Sequence, residues 1–121
     1  MKPSSVTLYH YPNCSTCKKA RKWLDARSIG VQLVDIVKSP PSVEELRRLF
    51  EASGLPLSKF FNTSGQSYRN GGFKDRLKTM SEDEQLAALS ADGKLIKRPL
   101  LDAAEVVLVG FREQAYEEEL L

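Results

Sequence analysis

The chain has 121 residues, 41% of them hydrophobic and 28% charged, with 18 basic and 16 acidic side chains and a formal net charge of +2. That length suits one domain, 1–121, with a core large enough to stand without disulfide staples. The scattered positive excess gives no basis for direct nucleic-acid binding, and no apolar run approaches the roughly 20 residues of a membrane-spanning helix.

The N-terminal "MKPSSVTLYHYP" lacks the apolar centre and small-residue cleavage site of a secretory signal, so the expected address is the cytoplasm. Alternating "VTLYHY" (residues 6–11) reads as a strand ended by Pro12. A helix is expected from about Ser15 to Ala26, with Cys17, Ala20 and Leu24 on one face and Trp23 beside them. "GVQLVDIV" (residues 30–37) is the second strand, led in by Gly30 and closed by "KSPPS". A strand, a helix and a strand within about thirty residues predict a parallel pair with a right-handed crossover.

The next stretch, about 40–94, reads as mainly helical. Ser42 and Glu45 form a capping-box signature, opening a helix to about Ser53 with Val43, Leu46 and Phe50 as its buried stripe and Gly54 as terminator. "NTSGQSYRNGG" (residues 62–72) is loop by composition. Ser81 and Glu84 open another helix through Leu89, closed by "ADGK". Then "RPLLD" and "EVVLVG" predict an antiparallel pair, and "REQAYEEELL" a final helix. The order β-α-β, helical insert, β-β-α is that of an α/β, thioredoxin-like mixed sheet carrying an inserted helical lobe.

Both cysteines lie in "YPNCSTCKKA" (residues 11–20), at the junction of the first strand and first helix. An ordinary thiol, with a pKa of about 8.5, is only ~3% thiolate at neutral pH. A helix N-terminus favours an anion by about 0.3–1 kcal/mol and at most ~2. Lowering the pKa by two units takes about 2.7 kcal/mol, so Lys18, Lys19 or an arginine from elsewhere has to contribute. Cys17 sits one turn along, within disulfide reach, which makes Cys14 the attacking thiol and Cys17 the resolving one. Two other readings stand beside this. A structural zinc site needs two more ligands where the single histidine, His10, lies on the preceding strand. Alternatively, the cysteines are small buried hydrophobes.

Arg98-Pro99 is the second informative place. A proline at the start of a strand donates no ladder hydrogen bond there, and X-Pro bonds adopt the cis form more readily than others. In a thioredoxin-like fold this segment lies opposite the cysteine loop, where Arg98 can present its guanidinium to the Cys14 thiolate or to a bound oxyanion.

"YPNCSTCKKARKWL", "SVEELRRLF", "NTSG" with "YR", "KRPLLD" and "VLVGF" resemble, in that order, the ArsC/Spx family over about residues 6–119. This family includes glutaredoxin-coupled arsenate reductases and the Spx-type transcription regulators. The resemblance implies a thioredoxin-like sheet with an inserted helical lobe and a redox-active Cys14–Cys17 pair. Cys14 takes the place of the arsenate-attacking cysteine, and Arg98 that of an oxyanion-binding arginine. The family's second arginine position falls near Asn62 or Thr63, and Arg112 lies beyond the match to the third. Each missing charge-assisted partner costs roughly 1.5–3 kcal/mol, which weighs against efficient arsenate reduction. Spx-type regulators carry the cysteine pair as a disulfide switch and bind the RNA polymerase α subunit.

The expectation is therefore a thiol-disulfide oxidoreductase acting on arsenate or a related oxidised substrate. It binds no cofactor or metal and is restored by glutathione/glutaredoxin or thioredoxin. The alternative is a redox-switched regulator binding RNA polymerase. Gly54 is explained by helix termination, Tyr68 and Arg69 read as an exposed loop pair, and Glu117, Glu118 and Glu119 as a solvated tail. The basic side chains of "RKWLDAR" form a solvated face or a docking surface for an acidic partner.

Overall fold

In the computed structural model, which describes residues 2–121, β1 (Ser5–His10) is an inner strand. It pairs in parallel with β2 (Gly30–Asp35), from Ser5↔Gly30 to His10↔Asp35, with α1 (Ser15–Ala26) as the crossover. On its other side β1 runs antiparallel to β3 (Leu100–Asp102), with Thr7 opposite Asp102 and Tyr9 opposite Leu100. β3 pairs antiparallel with β4 (Val107–Val109), giving the order β2-β1-β3-β4. This is the expected mixed thioredoxin-like sheet. α6 (Glu113–Leu120) ends the chain.

The contacts divide the chain into two units. One runs from the start to Asp35 and resumes at Arg98–Leu121; the other is Ile36–Lys97. The sheet, α1 and α6 belong to the first. Its core joins Val6, Leu8, Trp23, Leu24, Leu101 and Tyr116, with Tyr116 edge-on to Trp23 at 5.4 Å and to Phe111 at 4.7 Å. Each such large apolar side chain contributes about 1.5–3 kcal/mol when taken out of water. Val6 and Leu8 alternate in the strand, and Ala20 and Leu24 recur in the helix, at the positions that face this core, so the two sequence periods meet in one apolar layer.

The second unit holds α2 (Val43–Ser53), α3 (Gln66–Asn70), α4 (Phe73–Arg76) and α5 (Glu82–Ala91). Ser42 Oγ accepts the Glu45 N–H, while a full reciprocal capping box forms between Ser81 and Glu84. α2 stops at Gly54, whose φ of 68° is the left-handed turn glycine permits. Gly93 is fixed by space, because a Cβ there would lie 1.9 Å from the Ile36 carbonyl oxygen.

Some expected boundaries move. The first strand stops at His10 rather than Tyr11, because the Tyr11 N–H turns to the Cys17 sulfur. The second stops at Asp35, one register position beyond which β1 has no strand residue left to pair. Leu46 and Leu49 are the buried residues of α2, with Val43 and Phe50 only half-buried. Residues 62–72, expected as loop, contain α3. Its turn packs Tyr68 against Phe61 and Phe73, apolar partners outside the window that composition weighs. Among the described residues no helix is long and apolar enough to cross a membrane.

Candidate functional site

The cysteine loop starts where β1 runs out. Tyr11 breaks from the strand and turns the chain, its carbonyl accepting the Cys14 N–H at 2.9 Å. Cys14 has extended dihedrals as the N-cap of α1, and its own carbonyl accepts the Lys18 N–H at 3.1 Å. The sulfur thus lies at the start of a twelve-residue helix, where N–H groups have no intrahelical partner. Cys14 is half-buried; Cys17, one turn on, is fully buried. Both are free thiols.

The two thiols have opposite environments. Partial burial pushes the Cys14 thiol up, but the Cys17 thiol, the N–H groups of Cys17 and Thr16 and the Arg98 charge together outweigh it, leaving Cys14 below the ordinary range. The Cys14 sulfur closes no capping hydrogen bond of regular geometry; the N–H dipoles act on its charge through the field at the helix start. Burial pushes Cys17 up to about 12, and its hydrogen bond to Cys14 and the Cys14 charge add to that; the Tyr11 N–H, 3.5 Å from Sγ, and Arg98 oppose it. The thiol reached by solvent is therefore the acidic one, and the protected thiol holds its proton.

Arg98 comes to this loop through the β1–β3 pairing. Extending the register past Tyr9↔Leu100 sets Arg98 across from Tyr11, and its Cζ stands 4.9 Å over the Tyr11 ring. Pro99 is buried, and the Arg98-Pro99 peptide is cis. Pro99 receives the Gly110 N–H on its carbonyl at 2.8 Å, tying this segment to the turn after β4. Cys14, Cys17 and Arg98 are thus brought together, with the buried Pro99 next to Arg98 in the chain.

Two neighbours have no redox role in the sequence reading, Tyr11 and His10, the latter weighed there only beside a zinc site. Tyr11 contacts the Cys14 main chain, the Cys17 sulfur and the Arg98 guanidinium. His10 is buried at the end of β1, opposite Asp35, and burial and Arg21 hold its imidazole below the usual range against the pull of Asp35. Their position just before the cysteine motif was the available signal. Among the described residues no three histidine, cysteine or acidic side chains converge as metal ligands.

The remaining candidates belong to other elements of the chain. Asn62 and Thr63 belong to the second unit, where the Asn62 N–H bonds the Leu95 carbonyl at 2.8 Å. Tyr68 and Arg69 are helical rather than loop, and Tyr68 is packed among aromatic rings. Arg112 is the exposed N-cap of α6. Glu117 and Glu113, at 3.7 and 4.0 Å from Arg27, make α6 more than a solvated tail. Arg27 in turn lies 4.1 Å over the Trp23 ring. Such exposed pairs contribute at most about 1 kcal/mol.

Residues 9–119 match the ArsC family. The uncharacterised Bacillus subtilis protein YusI is 54% identical over 114 residues, covering 94% of this chain and 97% of that one. The global transcriptional regulator Spx of Lactiplantibacillus plantarum is 23% identical over 108 residues, covering 89% and 80%. Among solved structures, an ArsC family related protein from Bacteroides fragilis superposes with a TM-score of 0.90 at 46% identity, covering 93% and 95%. The arsenate reductase from Vibrio cholerae gives 0.86 at 29%, covering 99% and 100%.

Proposed function

The chain belongs to the ArsC family, and from that premise we propose that it is a thiol-disulfide oxidoreductase with Cys14 as nucleophile and Cys17 as resolving thiol. The observation that carries this reading is the division of labour in one helical turn: Cys14 is half-buried and acidic, while Cys17 is buried and protonated.

The Cys14 thiolate attacks one sulfur of an oxidised substrate disulfide, forming a Cys14–substrate disulfide and expelling the other sulfur as a thiolate. Cys14 then no longer carries charge, and both its hydrogen-bond demand on Cys17 and its electrostatic hold on the Cys17 proton disappear. Burial alone keeps Cys17 up at that stage, so its proton leaves more readily. Its thiolate attacks the Cys14 sulfur and closes Cys14–Cys17, and the second substrate sulfur departs with the proton. Two electrons have passed to the substrate, and an external dithiol, a thioredoxin or a glutaredoxin with glutathione, returns them. Arg98 stabilises anionic sulfur throughout, or an oxyanion such as arsenate in its place.

The relatives named Spx support a second reading, in which the same disulfide switches a stoichiometric complex with RNA polymerase. NADPH consumption separates the two. The protein is supplied with a mixed-disulfide substrate or arsenate and with each reducing system, and Cys14→Ser is the control. Turnover lost in Cys14→Ser supports the oxidoreductase. A rate no higher than the control rejects it and favours the switch, to be tested by redox-dependent co-elution with the polymerase α subunit.

A further inference from the structure

We propose that Tyr11 is a positioning residue of the cysteine loop: its ring seats the Arg98 guanidinium while its main chain anchors both cysteines. The proposal rests on the reading of Cys14 as the nucleophile.

Three contacts converge on this one residue. The Tyr11 carbonyl accepts the Cys14 N–H at 2.9 Å, which fixes where the N-cap residue begins the helix. The Tyr11 N–H points at the Cys17 sulfur from 3.5 Å, occupying one acceptor direction there and leaving the S–H to the Cys14 side. The ring lies under the Arg98 guanidinium, 4.9 Å from Cζ to the centroid. A main chain of any residue type can supply the first two contacts; the third needs an aromatic face.

An arginine has a long flexible side chain, and its charge acts on a neighbour only while it is held close. The planar guanidinium lies well on an aromatic face, which attracts the cation and leaves its N–H edges for other partners. Arg98 is half-buried, and this platform holds its charge beside Tyr11, within reach of Cys14. The titratable and charged groups that act on Cys14 are Cys17, from α1, and Arg98, from the segment leading into β3. Tyr11 touches both.

The test is the pH dependence of Cys14 alkylation by iodoacetamide, with the modified peptide identified by mass. It compares the wild type, Tyr11→Leu, Tyr11→Phe, Arg98→Gln and the Tyr11→Leu/Arg98→Gln double variant. Arg98→Gln should raise the midpoint by about half a pH unit, roughly a threefold loss of thiolate at neutral pH. Tyr11→Leu should raise it by a similar amount, Tyr11→Phe should keep the wild-type midpoint, and the double variant should lie no higher than Arg98→Gln alone. Tyr11→Met, flexible and without a π face, gives the same comparison if Tyr11→Leu loses its folded circular dichroism. A low wild-type midpoint that Tyr11→Leu and Tyr11→Met leave in place overturns the positioning role alone, as does full additivity in the double variant. A wild-type midpoint at or above the ordinary thiol value overturns the nucleophile reading, and the positioning role falls with it.

Discussion

Removing the Cys17 sulfur should make Cys14 a weaker acid, although no charge is deleted. The Cys17 sulfur accepts the Tyr11 N–H, so its proton is directed to Cys14, and that thiol is the largest of the influences holding Cys14 down. A hydrogen bond to a charged acceptor contributes roughly 1.5–3 kcal/mol for good donors. An S–H is a weak donor, so about 1 kcal/mol is the appropriate scale. At 1.36 kcal/mol per unit, Cys17→Ala should raise the Cys14 midpoint by about 0.7 units and cut its thiolate at neutral pH about fivefold. The assay is the ultraviolet absorbance of the thiolate against pH, repeated as an alkylation profile. Cys17→Ser, which returns a donor, should recover part of the shift. A Cys17→Ala midpoint equal to or below the wild-type value would refute the hydrogen-bond account, leaving the helix start and Arg98 as the causes.

Further expectations concern stability. Cys17 stays protonated in the fold to about pH 12 but titrates near 8.5 in an unfolded chain. Above pH ~8.5 the folded state therefore binds the extra proton, and stability falls by at most about 1.4 kcal/mol per pH unit. Cys14, held low, acts in the other direction: its contribution is complete above ~8.5 and is lost as pH falls through its folded value. Urea unfolding at two alkaline pH values should show a steeper loss in wild type than in Cys17→Ala, and parallel losses would contradict the protected state of Cys17. Gly93→Ala drives a methyl group into the Ile36 carbonyl and should cost about 3 kcal/mol, at the upper end for overpacking; a neutral change in denaturation midpoint would show that this turn yields. Ser81→Ala breaks the capping box of α5 and should cost about 1 kcal/mol, read from the same unfolding curves and recovered by Ser81→Asp.

Local rules made much of the chain legible. The β1–α1–β2 unit follows from period-2 and period-3.6 patterns that meet in one core, and the helix starts at Ser42 and Ser81 from hydroxyls that satisfy N–H groups three residues on. Residues 62–72 read as loop because glycine, serine and asparagine dominate the window. The short turn of α3 is held by Tyr68 packing on Phe61 and Phe73, partners that no local rule weighs. Glu117 looked like part of a solvated run because its partner Arg27 lies some ninety residues earlier.

The candidate site divides in the same way. That Cys14 begins a helix and Cys17 lies one turn along it is legible locally, because strand, turn and helix signals adjoin the motif and the spacing of a helix is fixed by its backbone geometry. Arg98 could be placed opposite the cysteine loop only by way of the thioredoxin-like fold that the element order implies. Folding joins Arg98 to the cysteines through the antiparallel pairing of β3 with β1, which carries it across from Tyr11. The packed fold also supplies the contrast between the two thiols. Acidity depends on how much water and how many donors reach each sulfur, and the surfaces that exclude water from Cys17 come together only when the sheet and α1 pack.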